Sequence, residues 1–408
     1  MTRPIVVTEM PTVESTAVSP TNTPPPIATP VAAATAMPTT IPRAAIPSPT
    51  VTRPTFQILN STNYMVLGNK MWHPDNSQMT KEIPIEVGSY PWSPDGQQLV
   101  GLNHDGYISI LTLQTGELRV LEIITISADS IRWSPNGEYL SYLTEVKNND
   151  QQAFQLTIYH LANKVEEKVS EPIASRDFIS EVGWSKDSLM ISYIHWEPSI
   201  TEAAATTILK IVNIENQSIK EFSAPPPISI LGGSWSPTQN QIVVYGYDTQ
   251  QLGRPELGPN YAYSTIYLID IDTNELVGPL ISSSFEESEQ PYYNQRPINL
   301  FISDTPWSPD GKSIIYSDKG VLCTFQIHHR EETCLVEMSQ LIIQTGAIGG
   351  EYPSWSSDGK WVGFVLKFDS LFCSPLAIYK LDKDKLEFTD AELGDCTVFW
   401  GTWSPKLN

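Results

Sequence analysis

The sequence predicts an all-β fold, a β-propeller of seven four-stranded blades, on three observations. A Trp-Ser-Pro-Asp-Gly pentapeptide, or a close variant of it, recurs along most of the chain. Each copy is followed by the same succession of short apolar or alternating runs. The last copy lies so near the C-terminus that its blade must borrow strands from the N-terminal side.

Seven tryptophans head the copies: Trp92, Trp133, Trp184, Trp235, Trp307, Trp355 and Trp403. The first six open WSPDG, WSPNG, WSKDS, WSPTQ, WSPDG and WSSDG, and the seventh opens a shortened WSP. Successive spacings are 41, 51, 51, 72, 48 and 48 residues. Units of about 40 to 50 residues with four strands each have the period of propeller blades. The pentapeptide has a local physical reason. Ser and Pro favour a type I turn, Asp accepts from nearby backbone N–H groups, and Gly takes the positive φ that leads into the next strand. The Trp ends the innermost strand of its blade, where its ring can be buried against a neighbouring blade. All seven tryptophans are therefore read as core and register residues.

Three runs, residues 56–60, 64–72 and 81–87, precede the first motif. They stand where strands B, C and D of the blade begun by Trp403 are needed. The expectation is a ring closed by strands from the N- and C-terminal parts of the chain, with a six-bladed ring plus an extra strand as the alternative.

The multiplied motif, across roughly residues 80–405, resembles the TolB-like, WD40-like (PD40) family of β-propeller repeats. The resemblance implies the fold. Its members include adaptors, binding modules and the propeller parts of hydrolases, so it implies no single activity.

Composition excludes several partners. The chain has 46 acidic against 25 basic residues, a formal net charge of −21. Nucleic acid and anionic membrane surfaces are poor partners for such a surface. No apolar run reaches the length of a membrane-spanning helix. The apolar stretch after Arg3 is too short for the core of a signal peptide. Residues 1–53, rich in Pro, Thr and Ala, cannot bury enough apolar surface to offset chain entropy, and are expected to form an extended stalk or linker. Residues 54–408 are expected to form the propeller.

All four cysteines fall late, at Cys323, Cys334, Cys373 and Cys396. A tight turn at His328 and His329 would set Cys323 directly opposite Cys334 on paired strands, within disulfide range. Cys373 and Cys396 fall in two loops at one end of the sixth blade. Two compatible pairings suggest oxidised bridges and an extracytoplasmic protein, although four reduced buried thiols remain the alternative. No C-x₂-C pair suggests zinc, and no metal or cofactor is expected.

The loops between strands B and C and between blades share one face of the ring and carry most of the length variation. The longest belong to blade 4, residues 246–264 and 281–301. They contribute Tyr247, Arg254, Tyr261, Tyr263, Tyr292, Tyr293 and Arg296, and the blade 3 loop adds His195, Trp196 and Glu197. Tyr, Trp and Arg dominate binding hot spots, so this face is the expected binding surface for a protein partner or a neutral glycan. The expected protein is a non-enzymatic, monomeric, extracytoplasmic module. The alternative is a propeller-type polysaccharide lyase or hydrolase working in the central funnel. Its first candidates would be His104, Asp105, His195, Glu197 and Asp248. No nucleophile elbow, H-E-x-x-H or P-loop is present. Asp270 and Asp272 read as hairpin-turn residues in preference to a calcium loop.

Overall fold

A computed structural model describes residues 64–67, 70–72, 82–148, 151–174, 179–197, 206–223, 228–248, 264–283, 300–302, 305–318, 320–336, 349–367, 376–381, 385–388 and 401–405. The expected residues 1–53 stalk lies outside them.

The described residues form seven antiparallel sheets, with a motif tryptophan ending the innermost strand or, for Trp92 and Trp307, bridged to strand B. The regular blade is seen at Ile179–Trp184, Met190–Glu197, Thr206–Asn213 and Ile219–Phe222, hydrogen-bonded in that order as strands A to D. In blade 1 the A position is the bridge from Trp92 to Leu99. Blade 2 departs from the expected four strands, because Ile173–Ala174 and Val165–Lys168 both pair with its third strand, Gln151–His160.

Blade 7 is assembled from both ends of the propeller. Met65–Leu67 pairs with Gly401–Trp403, and Lys70–Trp72 pairs with Met65–Leu67. Glu82 adds a bridge to Lys70. The assignment of the three N-terminal runs is thereby corrected. The run at 64–72 supplies both strands B and C as a hairpin, residue 82 stands in the D position, and residues 56–60 lie outside the described part.

Turn chemistry repeats in every blade. The backbone N–H of each motif serine donates to the carbonyl of the residue that opens strand B. This bond is seen from Ser93 to Gln98 (2.9 Å), Ser134 to Tyr139 (3.0 Å) and likewise through Ser356 to Trp361 (2.9 Å). The serine hydroxyl accepts in return from that residue's N–H, as with Gln98 (2.9 Å), Tyr139 (2.9 Å) and Met190 (2.9 Å). It also donates to the motif Asp or Asn, as Ser93 does to Asp95 (2.6 Å). Gly96 has φ 67°, and Ser188 takes φ 61° at the same place in blade 3. In blade 7 the partner of Ser404 is Tyr64. Ser404 N–H donates to the Tyr64 carbonyl (2.6 Å), and Tyr64 N–H donates to Ser404 Oγ (3.0 Å). Residues 340 apart in sequence thus reproduce a bond that elsewhere spans five.

The tryptophans join the blades. Five of the indole N–H groups reach back one blade. Trp184 donates to Ser141 Oγ (3.0 Å) and Trp235 to Ser192 Oγ (2.9 Å). Trp133, Trp307 and Trp355 donate to the carbonyls of Pro91 (3.2 Å), Ser234 (3.0 Å) and Pro306 (3.1 Å). The choice follows one strand B position. Where it holds Ser (Ser141, Ser192) the hydroxyl accepts. Where it holds a branched aliphatic (Val100, Val243, Ile315) the carbonyl preceding that blade's Trp accepts. Blade 6 has Gly363 there, and the buried Trp403 indole N–H has no partner. We therefore expect Ser141→Ala and Ser192→Ala each to destabilise the protein by about 1–2 kcal/mol, since each leaves a buried donor unpaired. Thermal denaturation of the two variants checks this, and unchanged melting would contradict the role given to the hydroxyls.

Strand B also carries buried tyrosines. Tyr142 donates to Glu166 Oε1 (2.8 Å) and Tyr316 to Glu332, each carboxylate lying on the outer strand of the same blade. Burial raises both phenols well above the usual value, with the carboxylates adding to the shift. Tyr193 is pushed up to about 12, first by burial and then by Glu221 and Glu171. A folded pKa above the unfolded value of about 10 gives stability that is intact below pH 10 and lost as pH rises through the folded value. The propeller should thus keep its stability to pH 10 and lose it steeply between about 10 and 12. Chemical denaturation midpoints across that range test the slope.

Cys323 and Cys334 are paired residues of adjacent strands and form a disulfide with Cα atoms 3.9 Å apart. Cys373 and Cys396 lie outside the described residues.

Candidate functional site

A cavity of about 600 Å³ lies on the propeller axis, and all seven motif tryptophans line it. Its wall is made from strand A and the turn that follows. Ser93, Pro94, Pro135, Pro237, Pro309 and Pro405 belong to the turns, and Gly183, Gly233 and Ser234 to the innermost strands. Trp92, Trp184, Trp235 and Trp307 are buried, whereas Trp133, Trp355 and Trp403 are half-buried. The residues read as core and register are both that and the lining of a cavity. A single cavity walled by seven sheets also shows how the blades are arranged, as a ring around an axis.

One charged side chain appears in the wall, Arg132 of strand Arg132–Trp133. The equivalent residue before the other tryptophans is Pro91, Gly183, Ser234, Pro306, Ser354 or Thr402, each neutral and most of them small. The Arg132 guanidinium lies 3.8 Å from the centre of the Tyr90 ring. Its Nη1 donates to the carbonyls of Asp129 and Ile131 (3.0 Å to the latter). Its Nε is buried and has no hydrogen-bond partner. The neighbouring Asp129 carboxylate is committed elsewhere, accepting from Ser89 N–H (3.0 Å) and Ser89 Oγ (3.1 Å). Among the described residues Arg132 forms no ion pair.

The other sequence candidates fall differently. Arg254, Tyr261, Tyr263, Tyr292, Tyr293 and Arg296 lie outside the described residues. His195, Trp196 and Glu197 are not loop residues but the end of strand Met190–Glu197, where Trp196 pairs with Thr207. Tyr247 likewise extends strand Gln241–Asp248 and pairs with Ser229 and Ser264. Alternation carries both strands further than turn composition suggested. Of the alternative catalytic set, His104 and Asp105 meet at 3.1 Å in an exposed turn. The described cavity lining contains no carboxylate, histidine or cysteine. Asp270 Oδ1 accepts from the N–H groups of Asp272 (3.1 Å) and Thr273 (3.0 Å), as a turn residue does. Cys323, Cys334 and Glu332 lie close enough to share a metal. The two sulfurs, however, are bonded to each other and Glu332 accepts from Tyr316.

Sequence reasoning gave the tryptophans a core and register role and placed the binding surface on the long loops, with the central funnel kept for the enzymatic alternative. The available signal was Arg132, a charged residue at a repeat position that is otherwise neutral.

The chain is a β-propeller, and its structural neighbours are propellers. An oligogalacturonate lyase in complex with manganese is 13% identical over 83% of this chain and 90% of its own, with a TM-score of 0.54. Oligogalacturonate lyase from Vibrio parahaemolyticus is 13% identical over 80% and 86%, with a TM-score of 0.53. TolB from Acinetobacter baumannii is 14% identical over 71% and 67%, with a TM-score of 0.39. At these identities the likeness to the two lyases is one of fold. No family model matches the chain, and no curated protein matches it.

Proposed function

We propose that this protein is a non-enzymatic binding module, with the axial cavity as the described part of its binding site and a protein as its partner. The observation that carries the proposal is the cavity itself. Seven tryptophans line about 600 Å³, a volume within the range of ligand sites, and one guanidinium without an ion pair among the described residues stands in the wall. Acid–base or metal-assisted chemistry needs carboxylates or imidazoles within reach of a substrate. The described wall offers indoles, prolines and serines instead, which favours binding over the lyase or hydrolase reading. The Cys323–Cys334 bridge supports an extracytoplasmic location, since such bonds persist in oxidising compartments. Residues 1–53 would then be the tether.

A thermal-shift screen of the full chain against short peptides, oligosaccharides and divalent metals tests this. A ligand at a hundred times its dissociation constant stabilises by roughly 2.7 kcal/mol, which a melting curve resolves. Stabilisation by peptides supports the reading. Turnover of an oligosaccharide would replace it with the enzymatic one.

A further inference from the structure

We propose that Arg132 is an anion anchor in the axial cavity, and that the cavity's occupant is a peptide segment bearing one carboxylate on an otherwise apolar stretch. The inference rests on the binding reading above and narrows it to a ligand chemistry.

Three properties of the wall lead there. First, the cation has no counter-ion among the described residues although the chain carries a net charge of −21. Asp129, the nearest acid in sequence, is taken by Ser89 through two hydrogen bonds. A guanidinium without an ion pair among the described residues of so acidic a protein is complementary to a carboxylate.

Second, the group is held in place before any ligand arrives. Tyr90 supports one face of the guanidinium, and two backbone carbonyls fix Nη1. The buried, unpartnered Nε is a donor without an acceptor. Nε is closed off from the cavity and Nη1 is taken, so contact with an anion falls to Nη2, which makes no hydrogen bond among the described residues.

Third, the rest of the wall is poor in free polar groups. The hydroxyls of Ser93 and Ser356 are bonded within their own turns, and that of Ser404 to Tyr64. The carbonyls of Pro91, Ser234 and Pro306 already accept indole N–H groups. A sugar would bring many hydroxyls to a surface with few partners for them, and each unmatched one is penalised. Apolar and proline side chains need no such partners and pack against indole faces, as prolines do in other aromatic-lined grooves. One anion among apolar residues matches one cation among tryptophans.

The test uses the immobilised full chain and a mixed-sequence library of N-acetylated pentapeptides, synthesised once with free C-terminal carboxylates and once as C-terminal amides. Mass spectrometry reads enrichment, and the tryptophan emission of the protein reports affinities for the enriched peptides. Digalacturonate is titrated in parallel. The expected result is enrichment of acids rich in Pro, Leu and aromatic residues, binding at least tenfold tighter than their amides. Arg132→Gln should abolish that discrimination while leaving residual amide binding, and Arg132→Lys should keep part of it. Melting curves verify that both variants are folded. Should Arg132→Gln fold poorly, Arg132→Lys and the acid–amide comparison on the native chain still decide. Equal binding of acids and amides would overturn the anchor and leave the binding-module reading standing. Enrichment of nothing would overturn both. Digalacturonate binding with the peptide libraries silent would overturn the peptide assignment.

Discussion

Trp235→Ala should lower the stability of the propeller by about 3–5 kcal/mol, the range for deleting a large buried aromatic side chain. The ring packs with Ile194, Leu209 and Ile211 of blade 3 and with Ile242 and Val244 of its own blade. Its N–H bonds Ser192 of blade 3. The substitution therefore opens a void between two blades and strands an acceptor. Trp235→Phe retains most of the packing and loses the bond, so it should cost less. Gly183 supplies an internal check from the other side. A Cβ on Gly183 would sit 2.9 Å from Trp235 Cδ1, a ring atom with little freedom to move. Gly183→Ala should destabilise although it adds only a methyl group. Urea denaturation of the three variants orders them, and a mild effect of Trp235→Ala would contradict the inter-blade role.

Removing residues 401–408 should be comparably severe. The truncation deletes the strand that pairs Met65–Leu67 and both hydrogen bonds between Ser404 and Tyr64. It also leaves Gly363 and Met65 without the Trp403 ring beside them. The truncation leaves Met65–Leu67 with an unpaired sheet edge, and such edges recruit other chains. The expected outcome is a lower melting temperature and association on size-exclusion chromatography. A truncated chain that remains monomeric and melts like the full one would show that blade 7 does not depend on its terminal strand.

Much of the fold is legible in the sequence because one pentapeptide combines a turn, a strand end and an inter-blade ring. Its copies set the number of blades, and the shortened copy at Trp403 pointed to a seventh blade completed from the other end. The hairpin within residues 64–72 was less legible, since two three-residue strands leave almost no alternation to read. Trp196 and Tyr247 illustrate the same limit in reverse. Nothing in composition marks where a strand stops and its loop begins, so paired residues were counted with the loops. The tryptophan lining of the central funnel was hidden for a different reason. Burial and lining are not exclusive, and a residue that seals two blades can still line the axis. Only comparison of the residue before each Trp separates Arg132 from Pro91, Gly183 and Ser234.

The cavity and its anchor exist only if both ends of the propeller share one sheet, which makes that closure the central claim. Val66 and Thr402 are directly paired across it. Opposed residues of an antiparallel pair have Cα atoms about 4.5–5.5 Å apart, within reach of a disulfide. The most direct measurement is mass spectrometry of the oxidised Val66→Cys/Thr402→Cys variant after proteolysis. The structure predicts an intramolecular peptide pair linking residues 66 and 402, together with a raised melting temperature. Free thiols at both positions, or links formed only between chains, would contradict the closed ring and the axial site with it.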